Sequence, residues 1–300
     1  MPEGHVIHYL ARQLNQAFAG HVLRVTSPQG RFKEEASILN STRFRRAEAW
    51  GKHLFLDFDV PDYSAGARSG ARLARHIVHI HLGLIGSLRI EPYRPGPPVG
   101  QVRLHLHRID AEGGEDMCMW GDAVAANLRG PQWCRLITDH EMDDVISRAG
   151  ADPIRDGEDT NREKYQEVKV KVQRSGKAIG TLLMDQKLFA GVGNIYRAET
   201  LFRLGIDPQR KGRDMSSDVL QNIWSDLVYL MREGEKTCRI DTVREEHTPE
   251  VMGRLPRKDD HGGEVYVYRR AGQPCYVCGT PIEMKVVEGR NLFWCPGCQQ

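Results

Sequence analysis

Between Gly4 and Phe18 the apolar residues Val6, Ile7, Leu10, Ala11, Leu14 and Phe18 return every three or four positions. Gly20 follows as a stop signal, so the spacing predicts one amphipathic helix. The period then shortens. Val22–Thr26, Phe44–Trp50, His53–Phe58, His76–Leu82, Leu88–Glu91 and Val102–His107 alternate apolar with polar residues and are parted by Gly, Pro and Asp clusters. This is the pattern of an antiparallel sandwich or barrel. The tract Pro61 to Arg75, rich in Ser, Gly, Ala and Arg, predicts a flexible surface loop. From Trp133 to Asp156 helical spacing replaces period two, which places a domain boundary there. Arg162 to Arg174 predicts a basic, mixed-charge helix, and Met215 to Arg232 an amphipathic one with a stripe of Leu220, Ile223, Leu227, Leu230 and Met231. Cys238 to Gly263 is polar and short of apolar residues, which predicts a mobile loop.

A length of 300 residues exceeds one ordinary domain, so two domains are the default expectation, with enough chain to bury real cores. The net charge is only +2, so affinity for a polyanion has to come from local clusters of Arg and Lys. No apolar run reaches the length of a membrane span, and the first residues lack a charged-then-apolar signal pattern. A cytoplasmic protein is expected. Of seven cysteines, four stand in paired Cys-x-x-Cys spacing, which in a reducing compartment argues for metal rather than disulfides.

Those four are Cys275, Cys278, Cys295 and Cys298, and two knuckles at this separation predict a tetrahedral four-thiolate site for one structural zinc ion. The residues between them have hairpin character, with Gly289-Arg290-Asn291 as the turn. Arg290 at its tip would have little structural to pair with. Cys118, Cys134 and Cys238 have no partner at ligand spacing and read as buried thiols. At the other end stands Met1-Pro2-Glu3-Gly4-His5. Removal of Met1 would leave Pro2 as a secondary amine, a nucleophile with a pKa near ~8 that forms an iminium with an aldehyde-like carbon. Glu3 offers a carboxyl group beside it for proton transfer. His5 and His8 read as solvated or core-edge residues of the following helix.

Lys52, next to Gly51 at the mouth of a strand, is either a solvated lysine or a functional one. His79 and His81 share one strand face at the spacing of two metal ligands; with no third ligand evident, packing is the better reading. Leu84, between two glycines, is a packing residue or, in a DNA-binding protein, a wedge entering the base stack. Gly191-Val-Gly193-Asn194, between a short helix over Thr181–Lys187 and a second one over Arg197–Leu204, would aim backbone N–H groups and the Asn194 amide outward. That is a geometry for binding phosphate.

Together MPEG at the start, GKH at Lys52, HLG at His81, DPI at Asp152, LLMDQKLFAGVGNIYRAE from Leu182 and the terminal GRNLFWCPGCQ resemble the formamidopyrimidine-DNA glycosylase and endonuclease VIII family from end to end. The resemblance implies an α+β fold. An N-terminal antiparallel β-sandwich with flanking helices would occupy residues 1–140, a helix-two-turn-helix domain 150–245 and a zinc finger 264–300. It implies Pro2 as Schiff-base nucleophile and Glu3 as the acid at the sugar ring oxygen. Lys52 would contact phosphate and assist β-elimination, Asn194 would hold phosphate, and Arg290 would grip the phosphates flanking the lesion and serve δ-elimination. Arg148 resembles the arginine before the Gly-x-Asp entry to the helical domain in the endonuclease VIII branch. The implied partner is double-stranded DNA carrying damaged bases or abasic sites, met by a monomer away from membranes.

One departure bears on substrate. The purine-specific branch carries an Asp-Pro-Arg-Arg-Phe-Gly run, whereas Asp122 to Pro131 reads DAVAANLRGP, and Leu84 stands where that branch often has methionine. The reading therefore leans to oxidised pyrimidines, with oxidised purines as the alternative. A lesion-reading loop is placed within Thr242 to Gly263. A damaged-DNA binder without catalysis is the competing class, distinguished by having no need for a free N-terminal proline.

Overall fold

The computed structural model describes residues 2–59, 75–109, 123–258 and 263–300. They form two compact units, one comprising Pro2 and Ile7–Ser147, the other Glu3–Val6 and Arg148–Gln300. The reading of Pro61 to Arg75 as a loop, apart from Arg75 itself, lies outside the described residues, as do Cys118 and Asp122.

In the first unit, helix α1 (Gly4–Phe18), which belongs to it from Ile7 on, buries Ile7, Leu10, Ala11, Leu14 and Phe18, the stripe its periodicity predicts. Eight strands follow: β1 (Val22–Thr26), β2 (Thr42–Trp50), β3 (His53–Asp59), β4 (Arg75–His81), β5 (Ser87–Pro92), β6 (Val102–Arg108), β7 (Val124–Arg129) and β8 (Trp133–Ile137). All pair antiparallel in the order β5-β7-β6-β1-β2-β3-β4-β8. Two four-stranded halves meet at the short β1–β2 pairing, where only Val22 and Leu23 find partners in Arg43 and Thr42. Phe18, Phe44 and Phe58 pack edge to face through this core, with ring centroids 6.4 and 5.2 Å apart.

Three elements depart from the sequence pattern. Trp133–Ile137 is the edge strand β8, paired with β4, and the helical spacing begins only with α3 (Asp139–Arg148). β7 reads Val-Ala-Ala-Asn-Leu-Arg, poor in β-formers, yet ladders on both sides hold it as a strand. Lys33–Leu39 forms a short helix, α2, anchored by buried Ala36 and Leu39.

The second unit is helical. It contains α4 (Asp159–Gln173), α5 (Ile179–Leu182), α6 (Asn194–Arg203) and α7 (Ser217–Thr237). Ser216 caps α7 by accepting from the Val219 N–H at 3.2 Å, and Cys238 ends it in the left-handed region at φ 56°. Cys238 is half-buried rather than buried, unlike Cys134 in β8. The segment after α7, expected to be a loop, carries a helical turn at Glu245–His247 and the short helix α8 (Pro249–Met252). It is tied down by Glu199 of α6. That buried carboxylate accepts from the Tyr266, Val267 and Tyr268 N–H groups at 2.7, 2.9 and 2.8 Å and from the Thr242 hydroxyl at 2.6 Å. An ion pair of 2.6 Å between Arg254 and Glu264 closes the same segment. The chain ends in a hairpin of β9 (Glu283–Val287) and β10 (Arg290–Trp294). Among the described residues no helix is long and apolar enough to cross a membrane.

Candidate active site and metal centre

Glu3 is 2% exposed, a carboxyl group taken out of water within the first turn of chain. Its Oε1 accepts from the Ile195 N–H at 2.9 Å and its Oε2 from the Tyr196 N–H at 3.5 Å. Those are orphan donors at the N-terminus of α6, which Gly193 cannot cap for lack of a side chain. Glu3 serves as a cap borrowed from far away in sequence, and the helix dipole favours its negative charge there. The backbone N–H groups expected to face a phosphate are thus taken by this carboxylate. Glycine is required on both sides of it. A Cβ on Gly193 would stand 2.2 Å from Glu3 Cδ, and one on Gly4 would stand 2.8 Å from Gly191 Cα. The Gly4 N–H donates to the Gly191 carbonyl at 2.8 Å, so the start of α1 is pinned to the two-turn segment. Pro2, half-buried, directly precedes this clamp.

His5 is buried with its ring edge-on to Tyr196 at 5.3 Å, not solvated. Burial, joined by the charge of Glu3, pushes the Tyr196 hydroxyl well above its ordinary pKa, so it stays a neutral phenol.

The Asn194 amide opens α6. Its Nδ2 donates to the Asn291 carbonyl of β10 at 2.9 Å, while its Oδ1 accepts from Arg197. Arg290 opens β10, paired with Val287, so the hairpin turn is Glu288-Gly289 rather than Gly289-Arg290-Asn291. Both turn residues have positive φ, 48° and 73°, as a two-residue hairpin connection of this hand requires. Arg290 lines a cavity together with Lys177, Thr181, Arg197 and Glu288.

In the first unit Lys52 lies in the two-residue β2–β3 turn, where Gly51 at φ 56° allows the reversal. Burial, and after it the charge of Lys52, lowers the His81 pKa. His53, which the sequence pattern did not single out, joins His79 with ring nitrogens 3.0 Å apart. Trp133 packs on both His53 and His81, at 6.3 and 4.6 Å between centroids. Burial first, then the charge of His81 at His53 and the charges of His53, His81 and Arg135 at His79, depresses His53 to about 4 and His79 to about 3, so both rings are neutral at physiological pH. Leu84 stands 70% exposed at the β4–β5 tip, next to Ile85 at 87%. That tip is braced: the Gly86 N–H donates to the Leu82 carbonyl at 3.1 Å and the Gly83 N–H to His81 Nδ1 at 3.2 Å. Arg148 is exposed at the last position of α3.

The sulfurs of Cys275, Cys278, Cys295 and Cys298 lie within 4.8 Å of one another, with Cys275–Cys298 at 3.8 Å and Cys278–Cys295 at 3.4 Å. Tetrahedral zinc with bonds of about 2.3 Å sets its sulfurs roughly 3.8 Å apart, so these residues fit one structural zinc ion. Four thiolates leave no position for water or substrate. The side chain and backbone of Thr280 hydrogen-bond Cys278 and pull its pKa down to about 6. Gly297 is needed beside it, because a Cβ there would stand 2.6 Å from Thr280 Oγ1 and 3.0 Å from the Cys278 sulfur.

Comparison with known proteins accounts for these parts together. Residues 1–121 match the formamidopyrimidine-DNA glycosylase N-terminal domain, 150–243 the helix-two-turn-helix domain of the same enzymes, and 272–300 a zinc finger they share with isoleucyl-tRNA synthetase. The chain belongs to the formamidopyrimidine-DNA glycosylase and endonuclease VIII family of base-excision-repair DNA glycosylases. It is 44% identical over 304 residues to endonuclease 8 1 of Mycobacterium tuberculosis, covering 100% of both chains. Its fold is similar to that of the Fpg protein from Thermus thermophilus, with TM-score 0.67, 24% identity and coverage of 99% and 98% of the two chains. It is likewise similar to Lactococcus lactis Fpg in a complex with abasic-site DNA, with TM-score 0.69, 19% identity and coverage of 99% of each.

Proposed function

We propose that the protein is a bifunctional DNA glycosylase and abasic-site lyase that excises oxidised bases, pyrimidines above purines, from double-stranded DNA and cleaves the strand by β,δ-elimination. The observation that carries this reading is the clamp on Glu3. Chain termini fray unless something holds them. Here a buried carboxylate and the Gly4–Gly191 hydrogen bond fix the residues that follow Pro2.

With Met1 removed, the lone pair of the Pro2 nitrogen attacks C1′ of the damaged nucleotide as the glycosidic bond breaks and the base leaves with a proton. Glu3 protonates the ring oxygen as the sugar opens to the iminium. Loss of a C2′ proton then expels the 3′ phosphate, and a second elimination expels the 5′ phosphate. Lys52, Asn194, Arg148 and Arg290 hold the backbone, and Leu84 fills the space left by the extruded nucleotide. The preference for pyrimidines rests on Leu84 and on the absence of an Asp-Pro-Arg-Arg-Phe-Gly run. The relative named endonuclease 8 1 carries the name of the branch to which the sequence reading assigns pyrimidines, whereas Lactococcus lactis Fpg in complex with Fapy-dG DNA stands for the purine alternative.

The test is borohydride trapping on duplexes that carry thymine glycol, dihydrouracil, 8-oxoguanine or an abasic site. Covalent adducts are expected with Met1-processed protein, at a strongly reduced level with Pro2→Gly, whose N-terminal glycine is still a primary amine, and not with protein that retains Met1. Full trapping by the Met1-retaining form refutes Pro2. Faster excision of 8-oxoguanine than of both pyrimidine lesions refutes the substrate preference.

A further inference from the structure

Arg197 is 1% exposed, the largest side chain wholly withdrawn from water among the described residues. It occupies the first turn of α6 among Ile195, Tyr196, Ala198, Leu201 and Phe202, where an apolar residue would fit the pattern. Burying a guanidinium is costly unless hydrogen bonds replace its hydration. Here they go to neutral oxygens: the Gly180 carbonyl at 3.3 Å, the Asn291 carbonyl at 3.2 Å and Asn194 Oδ1. Burial, reinforced by the nearby charge of Arg290, lowers its pKa to about 10, so it remains a cation at neutral pH. Two like charges are thus kept close on one cavity wall at the junction of α6 and the zinc hairpin.

The chemistry of the two side chains settles what this arrangement does. Arginine can only donate, so the Asn194 oxygen must face it and the NH2 group must face the other way. One N–H of that group goes to the Asn291 carbonyl, and the second has no protein acceptor among the described residues. The same guanidinium reaches the Asn291 carbonyl and so ties β10, with Arg290 at its start, to α6.

We propose that Arg197 is a positioning residue that fixes the Asn194 amide in its donating orientation and locks the zinc hairpin to the two-turn motif, so that Asn194 and Arg290 are presented to the DNA backbone as one unit. The inference rests on the phosphate-gripping roles proposed above for those two residues. Lysine cannot replace it, because a single ammonium cannot span three acceptors in a fixed plane.

A double-mutant cycle on the full-length zinc-loaded protein tests this, using binding to a duplex with a tetrahydrofuran abasic analogue. Arg197→Met is expected to weaken binding about tenfold in the wild-type background, and less than about twofold when Asn194→Ala and Arg290→Ala are already present. Arg197→Lys is expected to weaken binding nearly as much as Arg197→Met. Zinc content and thermal midpoint serve as folding controls, and Arg197→Lys replaces Arg197→Met in the cycle if the latter does not fold. Equal losses in both backgrounds overturn the proposal, since a merely structural arginine would act independently of Asn194 and Arg290. If Asn194→Ala with Arg290→Ala binds like wild type, the phosphate roles fail. The positioning role is then decided by the carboxamide resonances of 15N-Asn-labelled protein. A shifted or doubled Asn194 signal in Arg197→Met supports it, and an unchanged signal overturns it.

Discussion

At the scale of the residue, single atoms decide what the N-terminus can do. A Cβ at Gly193 would overlap Glu3 Cδ at 2.2 Å, so Gly193→Ala must push the carboxylate off the α6 N-terminus. Overpacking of this kind costs roughly 1–3 kcal/mol, which moves the melting temperature only modestly. The effect on catalysis should be far larger, because the displaced group is the proposed acid. Single-turnover excision by Gly193→Ala is expected to slow by at least about tenfold; a rate equal to wild type would show that Glu3 need not sit where the helix holds it. His53 and His79 give a second expectation, on stability. Their folded-state pKa values of about 4 and about 3 lie below the unfolded value of 6.5. Between those limits the unfolded chain binds more protons, so stability is complete above pH 6.5 and is lost as pH falls toward 4. Each imidazole contributes a slope of at most about 1.4 kcal/mol per pH unit, less the screening its partial exposure allows. Denaturant midpoints from pH 7 to pH 4 should fall for wild type and fall less for His79→Gln.

At the scale of the element, the zinc hairpin carries two kinds of dependence. Metal-bound cysteines release protons, and structural zinc contributes about 10–16 kcal/mol of apparent binding energy in isolated fingers. Cys275→Ser or chelation is therefore expected to unfold residues 272–300 locally and to abolish binding to lesion duplex. Undiminished cleavage by metal-free protein would disprove the hairpin's part in gripping DNA. The loss should extend to the segment after α7. Tyr276, within the first knuckle, lies between the guanidinium groups of Arg254 and Arg270, at 4.1 and 3.4 Å from its ring centroid. Hydrogen exchange at residues 249–258 is expected to speed up on chelation, while exchange in β3 and β4 stays unchanged. This segment is also where the sequence pattern misled. Its polar, charged residues suggested a mobile loop, but Arg254 and Glu264 pair with each other, and Glu199, distant in sequence, accepts from the Thr242 hydroxyl on one side and from the Tyr266 N–H on the other.

At the scale of the whole molecule, a net charge of +2 over 300 residues provides almost no global attraction for a polyanion. The salt dependence of duplex binding is then a sum over local contacts, each phosphate neutralised adding about 0.9 to the slope of log affinity against log salt. Arg290→Ala is expected to lower that slope by about one contact and to let β-eliminated ends accumulate over δ-eliminated ones on a pre-made abasic site. Coincident salt slopes for the two proteins would show that Arg290 does not touch the backbone.

Local covalent pattern was enough for α1, for six of the eight sheet strands and for the four zinc ligands, because periodicity and Cys-x-x-Cys spacing are properties of neighbouring residues. The same pattern suggested Pro2, Glu3, Lys52 and Asn194 through their motifs. It did not reveal β7 or β8, whose composition is a poor guide to strands and whose conformation comes from the ladders beside them. Nor did it reveal what Gly193 is for, or why a charged Arg197 stands in a buried helix face. Glu3 and Ile195 are 192 residues apart and Asn194 and Asn291 are 97 apart. Hydrogen bonds that close loops of that length leave no periodic trace in the chain, because their energy exists only once the tertiary fold has brought the donors and acceptors together.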